Sequence, residues 1–230
     1  MNREKVTAIV LAAGQGKRMH SDVQKQYMLI GDKPVLYYTL KAFEESGVDE
    51  VILVTGADET AYCEETFVRG YGFGKVKAVV AGGKERYDSV MAGLLAAAGC
   101  SWVLIHDGAR PLVTPALINE NISCVKQYGA CITAVPAKDT IKTADENGFV
   151  EGTPDRSRLW QVQTPQSFRY DLILEAHEKR IAAADALITD DAMLVEKYMN
   201  YPVRLLMGDY RNIKITTPED MVIAGAFLGI

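Results

Sequence analysis

Apolar runs of strand length alternate with stretches of helical period along most of the chain. The runs that predict buried strands are 6–11, 51–54, 76–80, 102–106 and 132–135. The segments of helical period between them are 35–45, 59–69, 89–98 and 115–128. Strands that are apolar on both faces and alternate with helices indicate parallel strands covered on both sides. The pattern therefore predicts an α/β fold, with a mostly parallel, Rossmann-like sheet and helices on both faces.

The alternation breaks after Pro136. Residues 138–158 are polar, contain Gly148 and Gly152, and have no apolar face wide enough for a helix. This composition predicts an extended β-arm that projects from the sheet, and a plain surface hairpin is the alternative. Beyond it the pattern predicts a strand at 159–164, a helix at 170–184, a short helix after Asp190, a strand at 203–207 and a last helix from Pro218.

Length and charge narrow the class of protein. A chain of 230 residues is expected to form one domain, 1–230, from which the arm protrudes. The net charge of −5 gives no broad basic field for nucleic acid or an anionic membrane, so an anionic ligand must meet a local cluster of cations. The first apolar run is too short for a signal peptide or a membrane span. Four scattered cysteines without metal-ligand spacing favour reduced thiols, and we expect a cytoplasmic protein.

The segment after the first predicted strand, residues 12–19, reads AAGQGKRM. Gly14 and Gly16 allow the backbone to turn tightly and to present N–H groups to a phosphate. Cations follow at Arg18 and Lys25. A glycine-rich turn with neighbouring cations suits a triphosphate, whereas the plain alternative is a tight turn between strand and helix.

Two common nucleotide motifs do not fit this turn. A dinucleotide fingerprint needs a small residue where Met19 stands and an acidic residue near the end of the second strand, which reads Val-Thr-Gly at 54–56. A P-loop needs Ser or Thr after its lysine, but Arg18 follows Lys17. The sequence therefore favours another kind of nucleotide site.

Other predicted strands end in residues that suit the same cleft, because ligands of open α/β sheets bind beyond the carboxyl ends of the strands. Gly82 and Gly83 end the third strand, where a small backbone admits a flat base, and the Ser89 hydroxyl is placed to bind its edge. The alternative for Ser89 is a helix N-cap. Asp107 ends the fourth strand, where a carboxylate suits a ribose hydroxyl or hydrated Mg²⁺, and the alternative is a helix-capping turn.

Two further cations lie far along the chain. Arg156 is in the predicted arm, and apolar neighbours leave Lys214 pointing to one face, although each alone is more often a solvated charge. The histidines share no ligand spacing, and no Ser/His/Asp or Cys/His arrangement is recognisable. We therefore name no residue as a direct metal ligand.

Taken together, these segments resemble the 2-C-methyl-D-erythritol 4-phosphate cytidylyltransferase family of isoprenoid precursor synthesis. The matching segments, which follow in order over nearly the whole chain, are AAGQGKRM at 12–19, KQY at 25–27, GGKERYDSV at 82–90, HDGARP at 106–111, KDTIK at 138–142, DRSRLWQVQTPQSF at 155–168, TDDA at 189–192 and NIKITTPEDM at 212–221. Leu11 departs from the proline of many relatives. The resemblance implies a nucleotidyltransferase-like sheet, CTP and a small polyol phosphate as ligands, Mg²⁺ bound mainly through the CTP phosphates, and a homodimer paired through the arm.

The resemblance also implies roles for individual residues. Arg18 and Lys25 would stabilise the transition state, and Arg156 and Lys214 would position the acceptor phosphate. The further acceptor-binding residues would be Asp107, Thr140, Arg110 and Thr164. The CTP-binding residues would be Ala12, Ala13, Gly14, Gly16, Gly82, Gly83 and Ser89.

Three other functions compete with this interpretation. A ribitol 5-phosphate cytidylyltransferase has the same chemistry, but such relatives tend to carry Gly-Gly where Ala13-Gly14 stand, and Ser-Val where Gly108-Ala109 stand. A non-catalytic nucleotide-binding regulator predicts loss of the cations, which are all present. A dinucleotide oxidoreductase is disfavoured by Met19 and the missing acid.

Overall fold

The computed structural model describes residues 4–14 and 23–230. Within these ranges the strands are β1 (Val6–Ala12), β2 (Leu29–Ile30), β3 (Lys33–Pro34), β4 (Glu50–Thr55), β5 (Val76–Ala81), β6 (Trp102–Asp107), β7 (Ala130–Pro136), β8 (Thr143–Ala144), β9 (Val150–Gly152), β10 (Trp160–Arg169) and β11 (Arg204–Met207). The helices are α1 (Val35–Glu44), α2 (Thr60–Cys63), α3 (Arg86–Ala96), α4 (Pro115–Tyr128), α5 (Tyr170–Ala183), α6 (Asp191–Met199) and α7 (Pro218–Leu228).

The central sheet of the described residues has seven strands in the order β11-β7-β10-β6-β1-β4-β5. Strand β10 runs antiparallel to both of its neighbours, and the other pairs are parallel. The predicted mostly parallel α/β sheet is confirmed. The strand predicted at 159–164 was too short, because β10 continues to Arg169 through polar residues that are buried.

Alternate residues of β1 enter opposite cores, as the two-residue period of a strand requires. Val10 packs in one cluster with Leu36 of α1 and Ile118 of α4. Ile9 packs in the other with Leu94 of α3. Each face of the sheet is therefore covered by helices, which explains why the strand residues are apolar on both sides.

Helix bounds follow local capping signals. Helix α4 spans the predicted 115–128: the Thr114 hydroxyl accepts from the Leu117 amide, and Gly129 ends the helix with φ of 78°. The helix predicted at 89–98 begins earlier, at Arg86, because Glu85 is its N-cap. The alternative reading of Ser89 as an N-cap is therefore wrong. In the helical segment predicted at 59–69, α2 is followed by a π-helical stretch, Glu64–Gly70.

The predicted arm is a small hairpin of β8 and β9 with an exposed tip, where Phe149 is 73% exposed. Its base is ordered by contacts with the body: the Ala137 amide donates to Leu159 O (2.9 Å), and Lys138 Nζ lies 3.5 Å from the Tyr210 ring centre. Because Pro136 of β7 pairs with Trp160 of β10, the arm leaves the sheet at the edge where the parallel strands end.

The four cysteines are buried and free, as the sequence predicts for reduced thiols. No helix within residues 4–14 and 23–230 has the length and apolar character needed to cross a membrane.

Candidate active site

A cleft of about 640 Å³ lies where β1 and β6 end. It is the place at which the topology of an open α/β sheet predicts a ligand. The predicted site residues that line it are Ala12, Ala13, Gly14, Lys25, Gly83, Ser89, Asp107 and Lys214. Residues from five separate parts of the sequence therefore meet at one edge of the sheet.

The two glycines after β5 are required by close packing. A Cβ on Gly82 would lie 2.7 Å from both Ala13 Cβ and Ser89 Oγ, and one on Gly83 would overlap the Asp88 side chain. The Ser89 hydroxyl accepts from the Gly83 amide (3.1 Å). Ser89 is buried, and its hydroxyl holds the glycine turn against α3, so its contact with the turn is already formed without a base.

Lys25 is held beside the end of β1 by its neighbour. Lys25 begins a single 3₁₀ turn, and the buried Gln26 side chain donates to Ala12 O (2.6 Å). Tyr27 OH donates to Glu59 Oε2 (2.9 Å) and fixes the other end of the turn. Sequence reasoning had not singled out Gln26, although it lies within the matching segment at 25–27.

Asp107 is the electrostatic centre of the cleft. Its Oδ2 lies 2.9 Å from Lys214 Nζ and 3.5 Å from Arg110 Nε, and its Oδ1 lies 3.6 Å from Arg86 Nε. Burial alone would raise the pKa of Asp107, but Lys214, Arg86 and Arg110 together hold that pKa far below its usual range. The carboxylate is therefore ionised and surrounded by three cations.

Thr164 and His106 form a buried support behind Asp107. Thr164 Oγ1 accepts from the Asp107 amide (3.1 Å) and lies 3.0 Å from His106 Nδ1. Arg110 O, which can only accept, lies 3.4 Å from His106 Nε2, so the ring proton is assigned to Nε2 and the Thr164 hydroxyl donates to Nδ1. Burial lowers the pKa of His106 to about 3, so the ring stays neutral.

Arg110 joins the loop after β6 to the segment that carries Lys214. Its Nη1 donates to Asn212 O (2.7 Å), and the Ile215 amide donates to Ala109 O (2.8 Å). Asn212 Nδ2 donates to Thr164 O (2.9 Å). Thr164 and Arg110 were predicted to bind the acceptor, but the described cleft lining includes neither of them, and they lie behind Asp107 and Lys214.

Arg86 is a cleft residue that the sequence analysis did not assign. It lines the cleft between the glycine turn and Asp107, and its Nη2 lies 2.7 Å from Asp191 Oδ2. Burial opposes its charge, but Asp191 and Asp107 raise the pKa of Arg86 above its usual value. The sequence could have indicated Arg86 through its place in the matching segment 82–90. Its pairing with Asp191 could not be predicted, because Asp191 lies 105 residues away.

Comparison with known proteins decides between the remaining interpretations. The sequence profile of 2-C-methyl-D-erythritol 4-phosphate cytidylyltransferase matches residues 6–229. The chain belongs to this cytidylyltransferase family. A relative of that name from Lachnoclostridium phytofermentans is 54% identical over 225 residues, which cover 98% of this chain and 97% of the relative. One from Alkaliphilus oremlandii is 50% identical over 229 residues, which cover 99% and 96%.

Solved structures agree with the sequence comparison. The 4-diphosphocytidyl-2C-methyl-D-erythritol synthase of Anaerococcus prevotii superposes with a TM-score of 0.87 at 35% identity, over 99% of this chain and 97% of that one. The cytidylyltransferase of Thermus thermophilus gives 0.77 at 29% identity, over 96% and 98%. The predicted family and nucleotidyltransferase-like fold are confirmed, and the dinucleotide oxidoreductase is excluded.

The described cleft lining does not include every residue to which the cytidylyltransferase resemblance gives a role. Thr140 and Arg156 are exposed on the arm, where Arg156 Nη1 donates to Lys138 O (3.0 Å). Arg18 and Gly16 lie outside the described residues. The described cleft lining of this cytidylyltransferase chain thus contains four cations, Lys25, Lys84, Arg86 and Lys214, and neither of the two arm residues.

The acidic residues of the described cleft lining are Glu85 and Asp107. Within the described residues, no three His, Cys, Asp or Glu side chains cluster as metal ligands. Three cations lie within 3.6 Å of the Asp107 carboxylate, and their positive charge makes it a poor direct ligand for a metal ion. A cation held by one or two carboxylates and mainly by phosphate oxygens is a common arrangement for Mg²⁺ in nucleotide enzymes.

Proposed function

We propose that this chain transfers the cytidylyl group of CTP to 2-C-methyl-D-erythritol 4-phosphate and releases pyrophosphate and 4-diphosphocytidyl-2-C-methyl-D-erythritol. The observation that carries the proposal is the cleft in which the glycine turns meet the Lys214–Asp107 pair, 2.9 Å apart. One side offers backbone and Lys25 to a nucleotide, and the other offers a cation and a carboxylate to a phosphorylated polyol. Family membership supplies the identity of the two substrates.

The acceptor needs no general base. A phosphate monoester has a second pKa of about 6 and is mostly dianionic at neutral pH, so its oxygen is already a nucleophile. The difficulty is to bring this anion to the α-phosphate of CTP. Arg18 and Lys25 neutralise the charge that builds up there, and catalysis consists of positioning and electrostatic stabilisation.

Lys214 and Asp107 divide the binding of the acceptor. The side chain of Lys214 is 37% exposed, so its ammonium has donors left for the acceptor phosphate beyond its bond to Asp107. Asp107 accepts hydrogen bonds from the acceptor hydroxyls. Thr164 and Arg110 act through these two residues, since their side chains already bond to the backbone of residues 107 and 212.

Mg²⁺ is the metal we propose. It would be held through the phosphates of CTP and would supply positive charge to the pyrophosphate that leaves. The four free, buried thiols support a reducing compartment such as the cytoplasm. The net charge of −5 supports small anions, met by local cations, rather than nucleic acid as ligands.

The test is release of pyrophosphate from CTP with each candidate acceptor. Purified protein with CTP and Mg²⁺ should release pyrophosphate when 2-C-methyl-D-erythritol 4-phosphate is the acceptor. Release should be far slower with ribitol 5-phosphate as the acceptor, or when Mg²⁺ or the acceptor is omitted. Equal or faster turnover of ribitol 5-phosphate would show that ribitol 5-phosphate is the acceptor of this enzyme. Binding of CTP without turnover of any acceptor would favour a regulator.

The arm is proposed to act in a second subunit. Its tip is exposed, with Phe149 73% and Val150 63% accessible, and it carries Thr140 and Arg156 away from the cleft of its own chain. A two-fold dimer exchanges two such arms and buries their apolar tips. Each active site then takes Lys25 from one subunit and Arg156 from the other.

Subunit mixing tests this arrangement. Lys25→Ala and Arg156→Ala homodimers should each be nearly inactive. In a mixed dimer one site has both defects and the other has none, so random exchange should restore about a quarter of wild-type activity, because half of the dimers are mixed and half of their sites are intact. A mixture that stays inactive after verified exchange would show that Arg156 does not act across the dimer.

A further inference from the structure

A row of ionisable side chains leads from the interior of the protein to the cleft. Asp191, the first residue of α6, is 1% exposed, and its Oδ2 lies 2.7 Å from Arg86 Nη2. On the opposite side Nε2 of the fully buried His177 lies 3.8 Å from Asp191 Oδ1. Arg86 Nε in turn lies 3.6 Å from Asp107 Oδ1. The carboxylate that faces the cleft is thus linked through Arg86 to a second carboxylate that no ligand reaches.

Asp191 is held rigidly in this position. Gln166 Oε1 of β10 accepts from the amides of Asp191 (3.1 Å) and Ala192 (3.0 Å), which fixes the start of α6 to the sheet. Burial opposes the charge of Asp191, but Arg86, with support from His177, lowers its pKa. Burying an ionised carboxylate costs folding free energy unless the carboxylate is paired, and Arg86 provides the pairing for Asp191.

The two distances at Arg86 show where its guanidinium is committed. The contact with Asp191 is a short charge-assisted hydrogen bond, whereas the approach to Asp107 exceeds hydrogen-bond length. Asp107 Oδ2 is shared by Lys214 and Arg110. Asp191 therefore keeps Arg86 from closing on Oδ1, which leaves that oxygen able to accept a hydrogen bond from a hydroxyl in the cleft.

We propose that Asp191 is a positioning residue for the acceptor: it holds Arg86 so that Asp107 is paired on one oxygen and open on the other. The inference rests on the proposed role of Asp107 in binding acceptor hydroxyls. Without the charge of Asp191, Arg86 is free to form a two-point pair with Asp107 and to compete with the acceptor. The effect should fall on the acceptor and leave the nucleotide side of the cleft almost unchanged.

The kinetic test is a double-mutant cycle on Asp191→Asn and Arg86→Gln. Asp191→Asn should raise KM for the acceptor about tenfold and leave KM for CTP within about twofold. In the Arg86→Gln background the same change should add little, because Asp191 acts through Arg86. The control is Asp185→Asn, which removes a carboxylate paired with Lys197 (2.6 Å), outside this row of charges.

A second variant covers the possibility that Asp191→Asn does not fold. Arg86→Lys leaves the buried carboxylate intact and keeps the charge, and a single ammonium held by Asp191 cannot also pair with Asp107. Acceptor KM should therefore stay within about twofold of the wild type, and a rise like that of Arg86→Gln would contradict the positioning role. Equal rises for acceptor and CTP, or additive effects in the cycle, would overturn the positioning role.

A spectroscopic test separates this inference from the proposed reaction. The Arg86 Nε–H resonance, assigned by its loss in Arg86→Gln, should shift or broaden in Asp191→Asn and stay unchanged in Asp185→Asn. An unmoved resonance, with acceptor KM unchanged, would leave Asp191 only a structural role. If the wild type shows no turnover with CTP and the acceptor, the proposed function fails, and the resonance alone still decides whether Asp191 holds Arg86.

Discussion

Replacing Thr164 with valine should destabilise the protein and weaken its acceptor site together. The two side chains have nearly the same shape, so the change removes only the hydroxyl. That hydroxyl accepts from the Asp107 amide (3.1 Å) and contacts His106 Nδ1 (3.0 Å), both in the interior. Thr164→Val therefore leaves one donor and one acceptor buried without a partner.

The expected size follows from those two groups. Each unsatisfied buried polar group costs about 1–3 kcal/mol, so the pair should cost about 3 kcal/mol of unfolding free energy. For a chain of 230 residues, this corresponds to a fall in Tm of about 6–12 °C. Because the Asp107 amide is one of the two groups, KM for the acceptor should also rise more than KM for CTP.

The assay is calorimetric melting with urea unfolding at neutral pH, followed by kinetics with each substrate varied. Thr164→Ser is the matched control, since it keeps the hydroxyl and loses only a methyl group, and it should cost about 1 kcal/mol. A valine variant as stable as the wild type, or a serine variant as damaged as the valine one, would refute the role of the hydroxyl.

Three further changes test other parts of the site. Lys25→Ala should lower kcat by roughly 10²–10³ with a smaller change in KM for CTP, and near-normal turnover would remove Lys25 from the transition state. Lys214→Ala should weaken acceptor binding, measured by calorimetry, and leave CTP binding unchanged. Equal losses for both ligands would show that Lys214 binds the triphosphate or stabilises the fold. The control is Lys126→Ala, at an exposed position on α4. For His106, the unfolded pKa near 6.5 exceeds the folded pKa of about 3, so the unfolded state binds more protons in between and stability falls as pH drops. Urea unfolding should show that the wild type loses about 2 kcal/mol more than His106→Gln between pH 7 and 5, and equal losses would contradict the lowered pKa.

The strands and helices were predictable wherever the apolar pattern or a local cap residue reflects the surroundings of the segment in the fold. Strands β1 and β6 are apolar on both faces, and α4 carries its own cap at Thr114, so local pattern and tertiary role agree. Strand β10 was predicted only in part, because Gln166 and Ser167 are polar and buried. Their partners, the start of α6 and Asn121 Oδ1, lie at least 24 residues away and cannot be read from local pattern.

The same division applies to the site. Gly83 and Asp107 were predictable because the carboxyl ends of parallel strands share one edge. The orientation of Arg110 was not, because its Nη1 bonds to Asn212 O, 102 residues along the chain. Arg86 escaped for the same reason, since Asp191 determines where its guanidinium lies. A single sequence therefore predicts the ends of strands well, but it predicts contacts between side chains that are distant in the chain poorly.

The pairing of Pro136 with Trp160 makes the arm a separable part of the molecule. The strands on either side of it are already joined in the sheet, so the chain between them can lengthen, shorten or change its tip without altering the register of β7 and β10. Selection can therefore act on what the arm carries beyond the edge of the sheet while the hydrophobic core stays constant. Replacing residues 138–158 with a short turn would leave β7 and β10 joined as a β-hairpin in place of the arm.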